Sequence, residues 1–113
     1  ALPIYAVHIH ETGNCDPGSG FESAGDHYAP RGKQHGFLVE GGHHAGDLPM
    51  QWASEEGLLR ADILASDVTL EDGEGTLFDD DGSALVIHAG PDDYQSQPSG
   101  NAGDPIACAV IQR

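Results

Sequence analysis

Basic side chains are scarce in this chain. Arg31, Lys33, Arg60 and Arg113 are the only four, against 19 Asp and Glu, for a formal charge of -15. A surface of that sign repels phosphate backbones and anionic lipid, so nucleic acid is excluded as a partner. Aromatic residues make up 6% and apolar residues 38% of the 113 positions, enough for one small core and a single domain over residues 1–113. No apolar run approaches the roughly 18 residues of a membrane helix, and no basic start precedes an apolar stretch. Neither a membrane span nor an uncleaved signal peptide is expected. Cysteine is limited to Cys15 and Cys108, almost the whole chain apart. That spacing fits no CxxC metal or redox motif and suits a long-range disulfide, with two buried thiols as the alternative. A disulfide closing so long a loop contributes about 4 to 5 kcal/mol in the chain-entropy picture and implies an oxidising compartment, periplasmic or extracellular.

Histidine, by contrast, is abundant, with seven in a small acidic chain. Imidazoles and carboxylates together are the ligand set of divalent transition metals. Residues 4–10 (IYAVHIH) are β-branched and aromatic with partial alternation, and read as a strand. Residues 11–47 have no period and form one long loop carrying four of the seven histidines; loops of that length are normally functional or cross-linked. Residues 48–54 and 58–65 read as two strands around a turn at Gly57, with a helix over 53–65 as the competing reading. Residues 67–82 are acidic and Gly-rich but lack the DxDxDG spacing and closing Glu of a Ca²⁺ loop, so they read as solvated surface. Residues 84–88 (ALVIH) form a short buried strand, 90–104 a second long loop, and 106–111 (IACAVI) the closing strand. Five short strands and two long loops indicate an all-β sandwich or partial barrel.

His8 and His10, two apart on a strand, leave one face and can converge on one ion. His27, His35 and His44 with Asp47 supply three nitrogens and one oxygen, an acceptable tetrahedral zinc set. His88 ends a buried strand, where its ring needs a partner.

The strings HIHETGNCD, SAGDHYAP, KQHG, HHAGDL, GSALVIHAGPDDY and SGNAGDPIACAVI resemble the copper/zinc superoxide dismutases, the bacterial periplasmic branch in particular, over residues 6–111. The resemblance implies a Greek-key β-sandwich or barrel with two functional loops, and copper and zinc as cofactors. It implies copper held by His8, His10, His27 and His88, and zinc by His27, His35, His44 and Asp47. His27 is then shared between the ions and carries a catalytic proton. His43 is a non-ligand, Asp92 is the carboxylate linking His8 to His35, and Cys15 and Cys108 form the family's internal disulfide. The implied substrate is superoxide, disproportionated to oxygen and hydrogen peroxide; a secreted copper/zinc carrier or buffer is the alternative.

Two departures stand out. Where the family places an Arg beside the copper, two residues before I-A-C, this chain has Pro105, so anion steering is expected to be weak, with Arg31 or Lys33 the candidates to come near the site in its place. Only seven residues precede His8, where the family has about three strands. An eight-stranded barrel is therefore not expected to close within this chain, and a homodimer is expected to cover the open edge.

Overall fold

The computed structural model describes residues 3–113. Among these residues there is no α-helix, and five strands are present: β1 (Ile4–Tyr5), β2 (Val7–His10), β3 (Gln51–Trp52), β4 (Ala84–His88) and β5 (Pro105–Val110). The expected first strand is divided at Ala6. On one side β1 pairs with β3; on the other, β2, β4 and β5 form an antiparallel sheet with β4 in the middle. The fold is the all-β sandwich expected of the chain, with the two sheets open rather than closed into a barrel.

Register explains the division of labour in the central sheet. Val7 faces Ile87 and Ile9 faces Leu85, while His8 faces Val86 and His10 faces Ala84. The odd positions thus lie over the core of Val7, Ile9, Tyr28, Ala45, Leu48 and Leu77, and the even positions carry the histidines. On the histidine face, Ala84 and Val86 pack with Ala24 against Cys15 and Cys108, which form the disulfide across a separation of 93. The β4–β5 pairing slips between Ile87 and His88, so that Pro105 rather than Ile106 stands opposite His88. Such bulges re-aim a side chain at the end of a strand.

The free edge of β2 is covered by the long loop instead of a strand. Ile9 N donates to Gly46 O at 2.8 Å, Tyr28 N to Ile9 O at 2.8 Å, and Glu11 N to Asp26 O at 2.9 Å. These bonds set His10 beside His27 and His8 beside Asp47. Gly46 is required there, because a β-carbon would collide with the Ile9 carbonyl.

The pair of strands expected over 48–54 and 58–65 is reduced to β3, and it pairs with β1 rather than with its neighbour. The turn exists, with Ser54 N donating to Leu58 O at 2.8 Å, but residues 58–65 form neither strand nor helix. Ile63 and Ala65 pack on the core from a backbone that no strand pairs, while Leu58 and Leu64 point to solvent. Burial of two side chains holds this segment, so its apolar content mimics a strand. The accessible surface of 6659 Å² exceeds the about 5,900 Å² typical of a monomer of this size. Part of the excess is the β5 side of the sheet, where Ile106 and Val110 are exposed.

Candidate metal centre

Four ring nitrogens define the first half of the site. His8 Nδ1, His10 Nε2, His27 Nε2 and His88 Nε2 are all buried and have no hydrogen-bond partner, and they lie within 4.8 Å of one another. The opposite nitrogen of each ring is engaged. His10 Nδ1 donates to Gly25 O at 2.8 Å, His88 Nδ1 to Gly103 O at 3.1 Å, and His8 Nε2 bonds Asp92 Oδ2 at 2.7 Å. Carbonyl and carboxylate oxygens only accept, so for these three rings the proton sits on the outer nitrogen and the inner one presents a lone pair. Converging lone pairs sealed from water are costly unless a cation sits among them. The donor set therefore fits a nitrogen-bound transition ion, and the carbonyl and carboxylate acceptors behind the rings are the usual outer support of such a site.

The second half is built around one carboxylate. Asp47 Oδ2 accepts from Gly36 N at 2.9 Å and His44 N at 3.0 Å. That leaves Oδ1 facing His35 Nδ1 at 2.8 Å, His27 Nδ1 at 3.0 Å and His44 Nδ1 at 3.4 Å. His27 Nδ1 and His44 Nδ1 are 3.3 Å apart. A tetrahedral zinc with bonds of 2.0–2.2 Å has donor–donor edges of about 3.3 Å, so these spacings fit it. By distance alone His8 also groups with His27, His35 and Asp47. Its nitrogens, however, are the inward lone pair already described and the bond to Asp92, which leaves His44 as the fourth donor.

Asp92 joins the halves, bonding His8 Nε2 at 2.7 Å and His35 Nε2 at 2.8 Å. His27 belongs to both, with Nε2 turned to the first cluster and Nδ1 to the second. All the expected site residues thus come together, and His43 stays outside: its Nδ1 bonds the His44 carbonyl at 2.7 Å and its Nε2 is 3.4 Å from Asp67.

The electrostatics of the halves differ. Burial holds His8 and His10 down to about 4, outweighing the hydrogen bonds to Asp92 and Gly25, and likewise lowers His88. Burial also opposes charge on His35, yet its bonds to Asp47 and Asp92 push it up to about 9. Against the same opposing burial, the histidine hydrogen bonds hold both Asp47 and Asp92 well below the usual carboxylate range.

Above the first cluster lies an open cleft of about 570 Å³, reaching His10, His27 and His88 and lined further by Glu11, Glu22, Asp26 and Pro105. Arg31 and Lys33 do not reach it. They line a separate pocket with His43 and Asp67, and Arg31 Nε pairs with Glu74 at 2.6 Å.

Residues 3–111 match the family model for copper/zinc superoxide dismutase. The chain belongs to that family. It is 52% identical over 108 residues to superoxide dismutase [Cu-Zn] 2 of Aquifex aeolicus, covering 95% of this chain and 63% of the relative, so it spans less than two thirds of that protein. It is 43% identical to the superoxide dismutase-like protein YojM of Bacillus subtilis, over 92% of this chain and 53% of that one. A solved double mutant of a SOD-like protein from the same organism superposes with a TM-score of 0.91 at 44% identity, covering 96% of this chain and 71% of that one. Membership of this family and the two donor groups make copper and zinc the cofactors.

Sequence reasoning missed Gln97. Its amide accepts from His35 N at 2.8 Å and donates to His35 O at 2.8 Å, clamping that backbone from the other loop. A side chain that binds only main chain leaves no motif. Gly100 was equally hidden: with φ +75, any β-carbon there would strike Asp92 and His35.

Proposed function

We propose that this protein is a copper/zinc superoxide dismutase, with copper on His8, His10, His27 and His88 and zinc on His27, His35, His44 and Asp47. The observation that carries the reading is the set of four buried, partnerless nitrogens converging beside a ring whose second nitrogen faces another donor cluster. Bound copper supplies one-electron chemistry, accepting an electron from one superoxide and returning it to another, while zinc contributes charge without redox change.

The chain's own groups do the rest. His10 and His88 are held in the correct tautomer by the Gly25 and Gly103 carbonyls, so their inner nitrogens need no rearrangement. Asp92 fixes His8 and His35 against each other. The His27 ring lines the cleft, and its partnerless Nε2 would hold one of the two protons that leave with peroxide. Two superoxide anions and two protons yield one oxygen and one hydrogen peroxide, which balances the electrons.

The disulfide supports an oxidising compartment, periplasmic or extracellular. Half-buried Leu85 and Ile87, on one face of the sheet with exposed Ala107 and Ala109, and exposed Ile106 and Val110 on the other face support self-association at the β4–β5 edge, which light scattering at micromolar concentration tests. A second reading, a copper and zinc carrier with little turnover, is favoured by Pro105 and three carboxylates in the cleft where an anion would enter. Measuring metal content and superoxide consumption on one copper- and zinc-loaded sample decides between them. Turnover above that of copper on a simple peptide is expected, and parity with the peptide sinks the enzyme in favour of the carrier.

A further inference from the structure

The charge of the cleft is opposite to what an anionic substrate needs. Its floor is formed in part by His10, His27 and His88, rings that are nine-tenths or more buried and whose inner nitrogens have no hydrogen-bond partner. Its charged lining consists of Glu11, Glu22 and Asp26 alone. Two of these are anchored to the site. Glu11 Oε1 accepts from Asp26 N at 3.4 Å and its side chain lies against Gly25, whose carbonyl holds His10; Asp26 directly precedes His27. Among the described residues no Lys or Arg lines the cleft.

We propose that Glu11, Glu22 and Asp26 form a cation vestibule: a carboxylate ring that draws aquated Cu²⁺ toward the inward nitrogens and holds small anions back. This rests on the assignment of copper to that cluster. Three carboxylates in a concave mouth concentrate a divalent cation and repel a monovalent anion through the same field, and both effects fade as salt shortens the screening length to about 10 Å at 0.1 M. The sequence of events is capture by the carboxylates, then transfer to imidazole ligands that bind Cu²⁺ more strongly than oxygen does. No bond other than ligand exchange is involved.

Stopped-flow loading of the zinc-replete protein with Cu²⁺, read by the ligand-field absorption, tests this against two variants. One is the triple change Glu11→Gln, Glu22→Gln, Asp26→Asn. The other carries the same change in net charge far from the cleft, at Glu55→Gln, Glu56→Gln, Glu71→Gln. Uptake by the natural protein should slow with added salt. The cleft variant should load about tenfold more slowly at low salt with a flatter salt dependence, and the remote variant should stay near the natural rate. Azide binding to the copper-loaded protein should show the reverse, tightening with salt and in the cleft variant. Equal loading rates and salt slopes for the natural protein and the cleft variant, or equal slowing in both variants, overturns the vestibule. Failure of the natural protein to give one-to-one copper absorption overturns the copper assignment itself, a result distinct from a site that fills at a rate indifferent to the carboxylates.

Discussion

The two halves of the metal centre share His27 yet behave as opposites without their ions. On the zinc side every donor has a partner: Asp47 meets three imidazoles and two backbone amides, and His35 is clamped between two carboxylates and a glutamine. On the copper side the rings are anchored only from behind, and four lone pairs face one another. One half is thus a self-satisfied ion network in which a bound zinc would take the place of the internal partners, and the other is a frustrated pocket that a cation would relieve. Metal sites and folding are coupled in both, but the copper half gains more from its ion and the zinc half is better ordered without one.

The largest way to break this contrast is to remove a donor from one half only. His88→Ala should abolish stoichiometric copper binding while zinc remains at one equivalent, as measured by elemental analysis after dialysis. Loss of both metals would show that the halves are not separable. Asp47→Asn should do more damage to the fold, since it removes the charge at the centre of a buried network, a change that costs about 3–5 kcal/mol. Urea unfolding of the metal-free protein reads this directly, and His88→Ala should be neutral or stabilising in the same assay.

Cutting the link between the halves is a gentler test. Asp92→Ala releases His8 and His35 together, so affinity for both metals should fall by roughly 10–100-fold, the usual effect of losing a carboxylate behind a ligating ring. Competition with a chelator measures each. A fall confined to one metal would mean the bridge orients only one ring. Gly100→Ala should mimic this loss by displacing Asp92.

The pH profile of the metal-free protein sharpens the contrast further. His8 and His10, at about 4 when folded against 6.5 unfolded, bind fewer protons in the native state, so stability falls as pH drops from 6.5 toward 4. His35, at about 9, contributes stability that is fully present below 6.5 and is lost as pH rises through 9. Urea midpoints in chelator at pH 5, 7 and 9 should therefore be highest near neutrality. His35→Ala should remove the alkaline decline and leave the acid limb in place.

Much of the centre was legible in the primary structure, for a physical reason. Ligands need specific side-chain chemistry, and His8, His10, His27, His35, His44, His88 and Asp47 advertise it at fixed intervals. Strands β4 and β5 were legible too, because short apolar runs between Gly-rich loops have few other uses. Less visible was whatever depends on backbone meeting backbone. The split of the first strand at Ala6 arises because Ala6 itself bonds Gly90 and His88 rather than continuing either pairing. Residues 58–65 read as a strand from their apolar content, and half-buried Ile63 and Ala65 do pack on the core, though nothing pairs with the chain between them. The acidic vestibule was hidden because Glu11, Glu22 and Asp26 are ordinary surface carboxylates until the fold turns them toward one opening.

The claim on which the rest depends is that one imidazole serves two ions, and magnetism tests it most directly. With Cu²⁺ loaded into both positions, the unpaired electrons should couple through the His27 ring, so that the isolated-copper EPR signal of the singly loaded protein largely disappears. Two full, independent copper signals from the doubly loaded protein would contradict it.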